Sequence, residues 1–136
     1  MKQIDVVKIE RVDEDTLTCE LMTIEDKLEV FYDLIHCRTI DIVERRFKGV
    51  LFDIVCDDEA LLREVVGLPT SLWFGRKEKG ERTGVLEGLY GTLLLCHHDD
   101  KGNLTSATIE DLLTIRRSFI MVGDDKKVFH ALMHNL

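Results

Sequence analysis

Two runs rich in β-branched and aromatic residues, Ile40 to Phe47 and Val50 to Cys56, are separated only by Lys48-Gly49. Such runs favour extended backbone, and a two-residue break containing Gly is the shortest connection that returns a strand on itself. The pattern predicts an antiparallel hairpin, and with it a fold built on sheet. A second hairpin is predicted at the start of the chain. There Ile4 and Val6 alternate with Asp5 and Val7, and Leu17, Cys19 and Leu21 alternate with Thr18, Glu20 and Met22 across the polar turn Asp13-Glu14-Asp15.

Three stretches carry helical spacing. Leu28, Phe31, Tyr32 and Ile35 form one stripe, with Thr23 and Asp26 spaced as a capping box and Glu25 and Asp26 expected in the first turn. Asp57 or Asp58 can cap a short helix whose stripe is Leu61, Leu62, Val65 and Val66, stopped by Gly67 and Pro69. Thr108 can cap the third, with Ile109, Leu112 and Leu113 as its expected buried face, acids at its start and Arg116 and Arg117 at its end. Leu89 to His97 reads as strand, Asp99 to Asn103 as a turn, and Phe119 to Val122 with Val128 to His134 as a terminal hairpin. The segment Arg76 to Arg82 holds no apolar residue and is expected to be a mobile loop. Together these predict an α+β fold, a mostly antiparallel sheet half exposed to solvent, with about three helices packed on one face. Strict strand-helix-strand alternation is missing, which argues against a doubly wound parallel sheet.

With 136 residues, 45% of them hydrophobic and only one proline, the chain can bury roughly two thirds of its unfolded surface as a single domain over residues 1–136. Its net charge of -8 disfavours direct binding to nucleic acid or anionic lipid. The apolar run Leu89 to Cys96 is too short to span a bilayer, and the opening residues do not read as a signal peptide. The expected setting is cytoplasmic. Cys19, Cys37, Cys56 and Cys96 lie far apart with no Cys-x-x-Cys, so reduced thiols are expected, with Cys19 and Cys56 acting as small core residues.

Local spacing points to no catalytic residue, cofactor or metal. His97-His98, and His130 with His134, lack the converging ligands a zinc site needs, and Asp57-Asp58-Glu59 and Asp99-Asp100 fit a cap and a turn better than a calcium loop. The glycines Gly84, Gly88 and Gly91 match neither a dinucleotide fingerprint nor a phosphate loop. Trp73 and Phe74 beside Arg76 and Lys77 form a candidate contact surface for a protein partner, since aromatics flanked by cations make good anchors. The alternative is a small-molecule or nucleotide pocket formed by Asp41, Asp57 and Thr70 at one end of the sheet. A homo-oligomer is compatible with either.

The order of the Leu28 to Ile35 helix, Asp41, Asp57-Asp58-Glu59, Gly67-Leu68-Pro69, Gly91-Thr92 and Thr108-Ile109-Glu110-Asp111-Leu112 resembles a family of small proteins carried by bacteria, phages and plasmids and known only as a domain of unknown function. The resemblance covers about Leu28 to Leu113. Members usually carry Asn soon after the Gly-Leu-Pro segment, where this chain has Thr70-Ser71. What the resemblance implies is a mobile-element setting and a compact α+β domain, with no activity attached.

Overall fold

The computed structural model describes residues 2–13, 16–59, 72–78, 81–89, 91–121 and 129–134. Strands β1 (Gln3–Asp13) and β2 (Thr16–Glu25) form the first predicted hairpin, with Ile4 opposite Ile24 and Ile9 opposite Cys19. Strands β3 (Ile40–Phe47) and β4 (Val50–Asp57) form the second. Lys48 (φ 49°) and Gly49 (φ 85°) both lie in the left-handed region. That is the type I′ geometry whose twist matches the flanking strands.

The remaining strands divide between two sheets. In the first, β7 (Leu93–His98) lies between the hairpins to give the order β2-β1-β7-β4-β3, every pair antiparallel, and β8 (Leu104–Thr105) pairs with the last two residues of β7. In the second, β5 (Leu72–Glu78), β6 (Glu81–Leu89), β9 (Phe119–Met121) and β10 (Phe129–His134) run in the order β6-β5-β10-β9. The predicted terminal hairpin is present as β9 and β10, but β10 also pairs in parallel with β5. This long-range pairing leaves no local sequence signal.

The expected loop over Arg76 to Arg82 is corrected. Arg76 to Glu78 end β5 and Glu81 and Arg82 begin β6, with Lys77 opposite Arg82 and Glu78 opposite Glu81. A ladder is made by backbone groups, so a run without apolar side chains can still pair. Only residues 79–80 connect the two strands, and they lie outside the described residues.

The first sheet is covered on both faces, where one was expected. Along β7, Leu93, Leu94, Leu95 and Cys96 are all completely buried. Leu93 and Leu95 join Val7, Ile9, Phe52 and Ile54 under Ile115 of α2 (Ile109–Ser118). Leu94 and Cys96 join Ile4, Val6 and Val55 under Phe31 and Ile35 of α1 (Leu28–Ile35). An unbroken apolar run marks a strand buried on both faces, and β7 carries one, while in β4 only Asp53 interrupts the run from Val50 to Cys56. Fully burying each such side chain contributes roughly 1.5–3 kcal/mol.

Two helices lie among the described residues, and the third predicted one falls within residues 60–71, outside them. In α1 the capping expectation fails. Thr23 stays in β2 opposite Asp5, where its hydroxyl donates to Asp5 Oδ1 at 2.6 Å, and the N-cap is Lys27 with no side-chain cap. Glu25 and Asp26 therefore precede the helix, and Glu29 occupies its first turn. At the other end His36 (φ 61°) takes the left-handed C-cap position usually held by Gly, and the Cys37 N–H donates to Tyr32 O at 3.1 Å.

In α2 the capping box is realised. The Asp111 N–H donates to Thr108 Oγ1 at 3.1 Å, and the Thr108 N–H donates to Asp111 Oδ2 at 2.8 Å. The expected buried face is corrected. Ile115 is completely buried and Leu112 half-buried, while Ile109 is 63% and Leu113 41% exposed. Two residues along a helix turn the direction by about 200°, so seating Ile115 sends Leu113 outward.

Candidate functional site

Strand β7 pairs with β4 only from Leu94 opposite Val55 to Cys96 opposite Asp53. Its next residues, His97 and His98, have no partner in the β4 ladder and pair with Thr105 and Leu104 of β8 on the edge that faces β1. The first sheet therefore forks: β4 continues back through Phe52 and Leu51 while β7 follows β8. The gap is a cavity of about 210 Å³ lined by Leu51, Phe52, Asp53, His97 and His98.

Each histidine at this fork is held by a carboxylate, on opposite faces of the sheet. His97 follows Leu93 and Leu95 in alternation, so it faces α2, where its Nε2 donates to Asp111 Oδ2 at 2.9 Å. The Phe52 ring stacks on it, with centroids 4.8 Å apart and planes at 28°. His98 follows Leu94 and Cys96 on the other face, and its Nδ1 lies 2.6 Å from Asp53 Oδ2. Asp53 is 4% exposed. A carboxylate so placed must be paired, because an isolated buried charge costs several kcal/mol. His98 supplies the pairing, and the hydrogen bond from its ring to Asp53 raises the His98 pKa above the ordinary imidazole value.

Glu44 of β3 lies directly opposite Asp53 in register. Its carboxylate, that of Asp53 and the His98 ring place one ligating atom each within 4.8 Å of one another. Residues from three strands thus form a mixed nitrogen and oxygen donor set. Spacing along the chain cannot reveal such a cluster, although one signal was present: Asp53 interrupts the apolar run of β4.

The residues singled out from sequence are placed differently. Asp57 lies opposite Ile40, on the face of Val55 and Leu94, and Asp41 lies opposite Cys56, on the face of Phe52 and Ile54. The two carboxylates are on opposite faces and do not converge, and Thr70 lies outside the described residues. Trp73, Phe74, Arg76 and Lys77 are all in β5, an interior strand of the second sheet, opposite Gly88, Glu87, Thr83 and Arg82. Asp99 organises a turn, its Oδ1 accepting from the Lys101 and Asn103 N–H groups at 2.9 Å each, and these bonds lower its pKa. All four cysteines are buried and none is in a disulfide, and Cys19 and Cys56 pack with Phe52 and Ile54 as expected. Among the described residues no helix is long and apolar enough to cross a membrane.

Fold and site define a class: a small α+β domain with a mostly antiparallel central sheet that forks at one end, where imidazole-carboxylate pairs gather. Within that class the chain belongs to the family described as a domain of unknown function, DUF3846, whose profile matches residues 7–120. No curated protein and no solved structure matches it.

Proposed function

We propose that the domain is a binding or regulatory protein that acts through protein contacts, and that a partner docks on the outer face of α2. The observation that carries this reading is the exposure of Ile109 and Leu113, 63% and 41%, one turn apart on a helix whose other side is anchored. The anchors are Ile115 in the core, Asp111 on His97, and the Arg116 guanidinium, which donates to Cys19 O at 2.8 Å. They hold the two apolar side chains in water, where a partner that covers them gains burial. The chain's charge of -8 favours a partner with a basic surface, such as the nucleic-acid groove of a host defence or replication protein. Trp73, Phe74, Arg76 and Lys77 enter the reading as a second contact segment on composition alone. A phage or mobile-element setting in the bacterial cytoplasm belongs to it too, supported by the order of motifs and by four cysteines outside any disulfide. The fork favours a second reading, a small-ligand site centred on Asp53 and His98.

The test is a photoreactive amino acid at position 109, with position 58 as control, followed by binding of the recovered partner to the purified protein. One discrete adduct from position 109 is expected, and Leu113→Lys should weaken the purified interaction by roughly tenfold or more without shifting the urea midpoint. Adducts no different from the control, or binding indifferent to Leu113→Lys, would overturn the reading.

A further inference from the structure

We propose that Glu44, Asp53 and His98 form a binding site for a first-row divalent cation of the zinc type, open to the cavity at the sheet fork. Their ligating atoms lie within 4.8 Å of one another. Two ligands on a common ion at about 2.0–2.2 Å are separated by roughly 3–4 Å, so side-chain adjustments of under about an ångström complete the set. The three residues sit on neighbouring strands of one sheet, with Glu44 and Asp53 held directly opposite by the β3/β4 ladder.

Charge points the same way. Two carboxylates converge here on one imidazole, and His98 is the ion-pair partner of the buried Asp53. Asp53 is buried and aimed at the His98 ring, with Oδ2 2.6 Å from Nδ1, so a bound ion would replace this hydrogen bond once the two atoms part to roughly 3–4 Å. A divalent cation would neutralise both acids at once.

The donor set selects the cation class. One imidazole nitrogen with two carboxylate oxygens suits Zn²⁺ and its first-row neighbours, whereas Ca²⁺ and Mg²⁺ favour all-oxygen shells. Three protein ligands leave a position free, the pattern of zinc sites that hold water or a ligand rather than closed structural sites. Asp53 and His98 themselves line the cavity, together with Leu51, so the free position opens to it. The site is independent of the α2 surface: His98 and Asp53 lie on the opposite face of the sheet from Asp111.

The experiment is calorimetric titration of the metal-free protein with Zn²⁺, and in parallel with Mg²⁺. Wild type should take up one Zn²⁺ per chain and no Mg²⁺ at matching concentration. Removing an outer-shell partner typically weakens a metal site 10–100-fold, so losing a ligand in His98→Gln or Glu44→Gln should cost at least about tenfold. Glu44 is exposed, so Glu44→Gln keeps the test valid if His98→Gln perturbs folding. A His130→Gln/His134→Gln variant should bind as wild type. Absence of Zn²⁺ uptake at millimolar concentration, or equal affinity in wild type and Glu44→Gln, would overturn the proposal.

Discussion

One oxygen of Asp111 serves two elements: Oδ2 accepts the Thr108 N–H at 2.8 Å, closing the α2 capping box, and the His97 ring N–H at 2.9 Å, tying the helix to β7. The helix start and the sheet are thereby registered to each other through a half-buried carboxylate. Asp111→Ala removes both bonds and should cost about 1–3 kcal/mol, more than a helix cap alone usually contributes. Urea melts of Asp111→Ala, His97→Gln and the double variant would show it. A coupling near zero in that cycle would mean that the His97–Asp111 bond contributes nothing to stability.

His98 predicts a pH dependence of stability. Its pKa is raised from 6.5, first by the hydrogen bond to Asp53 and then by the charges of Asp53, Glu44 and Asp99. A group whose pKa is higher folded than unfolded stabilises fully below its unfolded pKa and loses that contribution as pH rises through the folded one. The metal-free protein should therefore lose stability from about pH 6.5 upward, a slope that His98→Gln abolishes. Urea midpoints across pH 5.5 to 9, beside an NMR titration of the ring, would check both; a His98 pKa at or below 6.5 refutes the pairing.

Thiol chemistry gives a third expectation. Burial pushes the Cys96 pKa up to about 12 and those of Cys19 and Cys56 up to about 11. The thiolate is the reactive form, so these positions should be nearly inert to thiol reagents at pH 8 and react fully once the chain is unfolded in urea. Rapid native labelling of Cys96 would contradict its place between α1 and the sheet.

The type I′ turn makes a fourth. Gly49 at φ 85° meets no steric penalty there, whereas an L-residue in the left-handed region costs roughly 1–2 kcal/mol. Gly49→Ala should destabilise by about that amount, and Lys48→Asn, which suits the same region, should stabilise slightly. A neutral Gly49→Ala in urea melts would argue against the turn type.

These elements show what local sequence carries. Lys48-Gly49 announces its hairpin because turn chemistry is local, and Thr108 with Asp111 announces its cap for the same reason. Thr23 and Asp26 mimic that cap signature, yet the β1 ladder captures Thr23 first, an outcome that depends on a strand eighteen residues away. The apolar run of β7 was legible as a strand, while its meaning, burial on two faces, needed attention to the absence of alternation. Glu44 opposite Asp53 follows from the β3/β4 hairpin, but the full cluster was beyond reach, since His98 joins them only through the long-range β4/β7 pairing. Asp41 and Asp57, sixteen residues apart, looked compatible with one pocket until the register placed them on opposite faces.

The rotation of α2 separates stability from contact. Ile115 is completely buried against Phe52, Leu93 and Leu95, so Ile115→Ala should cost about 2–5 kcal/mol through lost transfer energy and the cavity left behind. Ile109 and Leu113 point into water, and their truncation to Ala should stay within about 0.5 kcal/mol. The periodicity alone would assign the opposite weights, since it counts Ile109 and Leu113 as the buried stripe. Urea melts of the three single variants decide between the two orientations. Should Leu113→Ala prove as damaging as Ile115→Ala, α2 would be turned the other way, and the docking face would lose the exposure on which it rests.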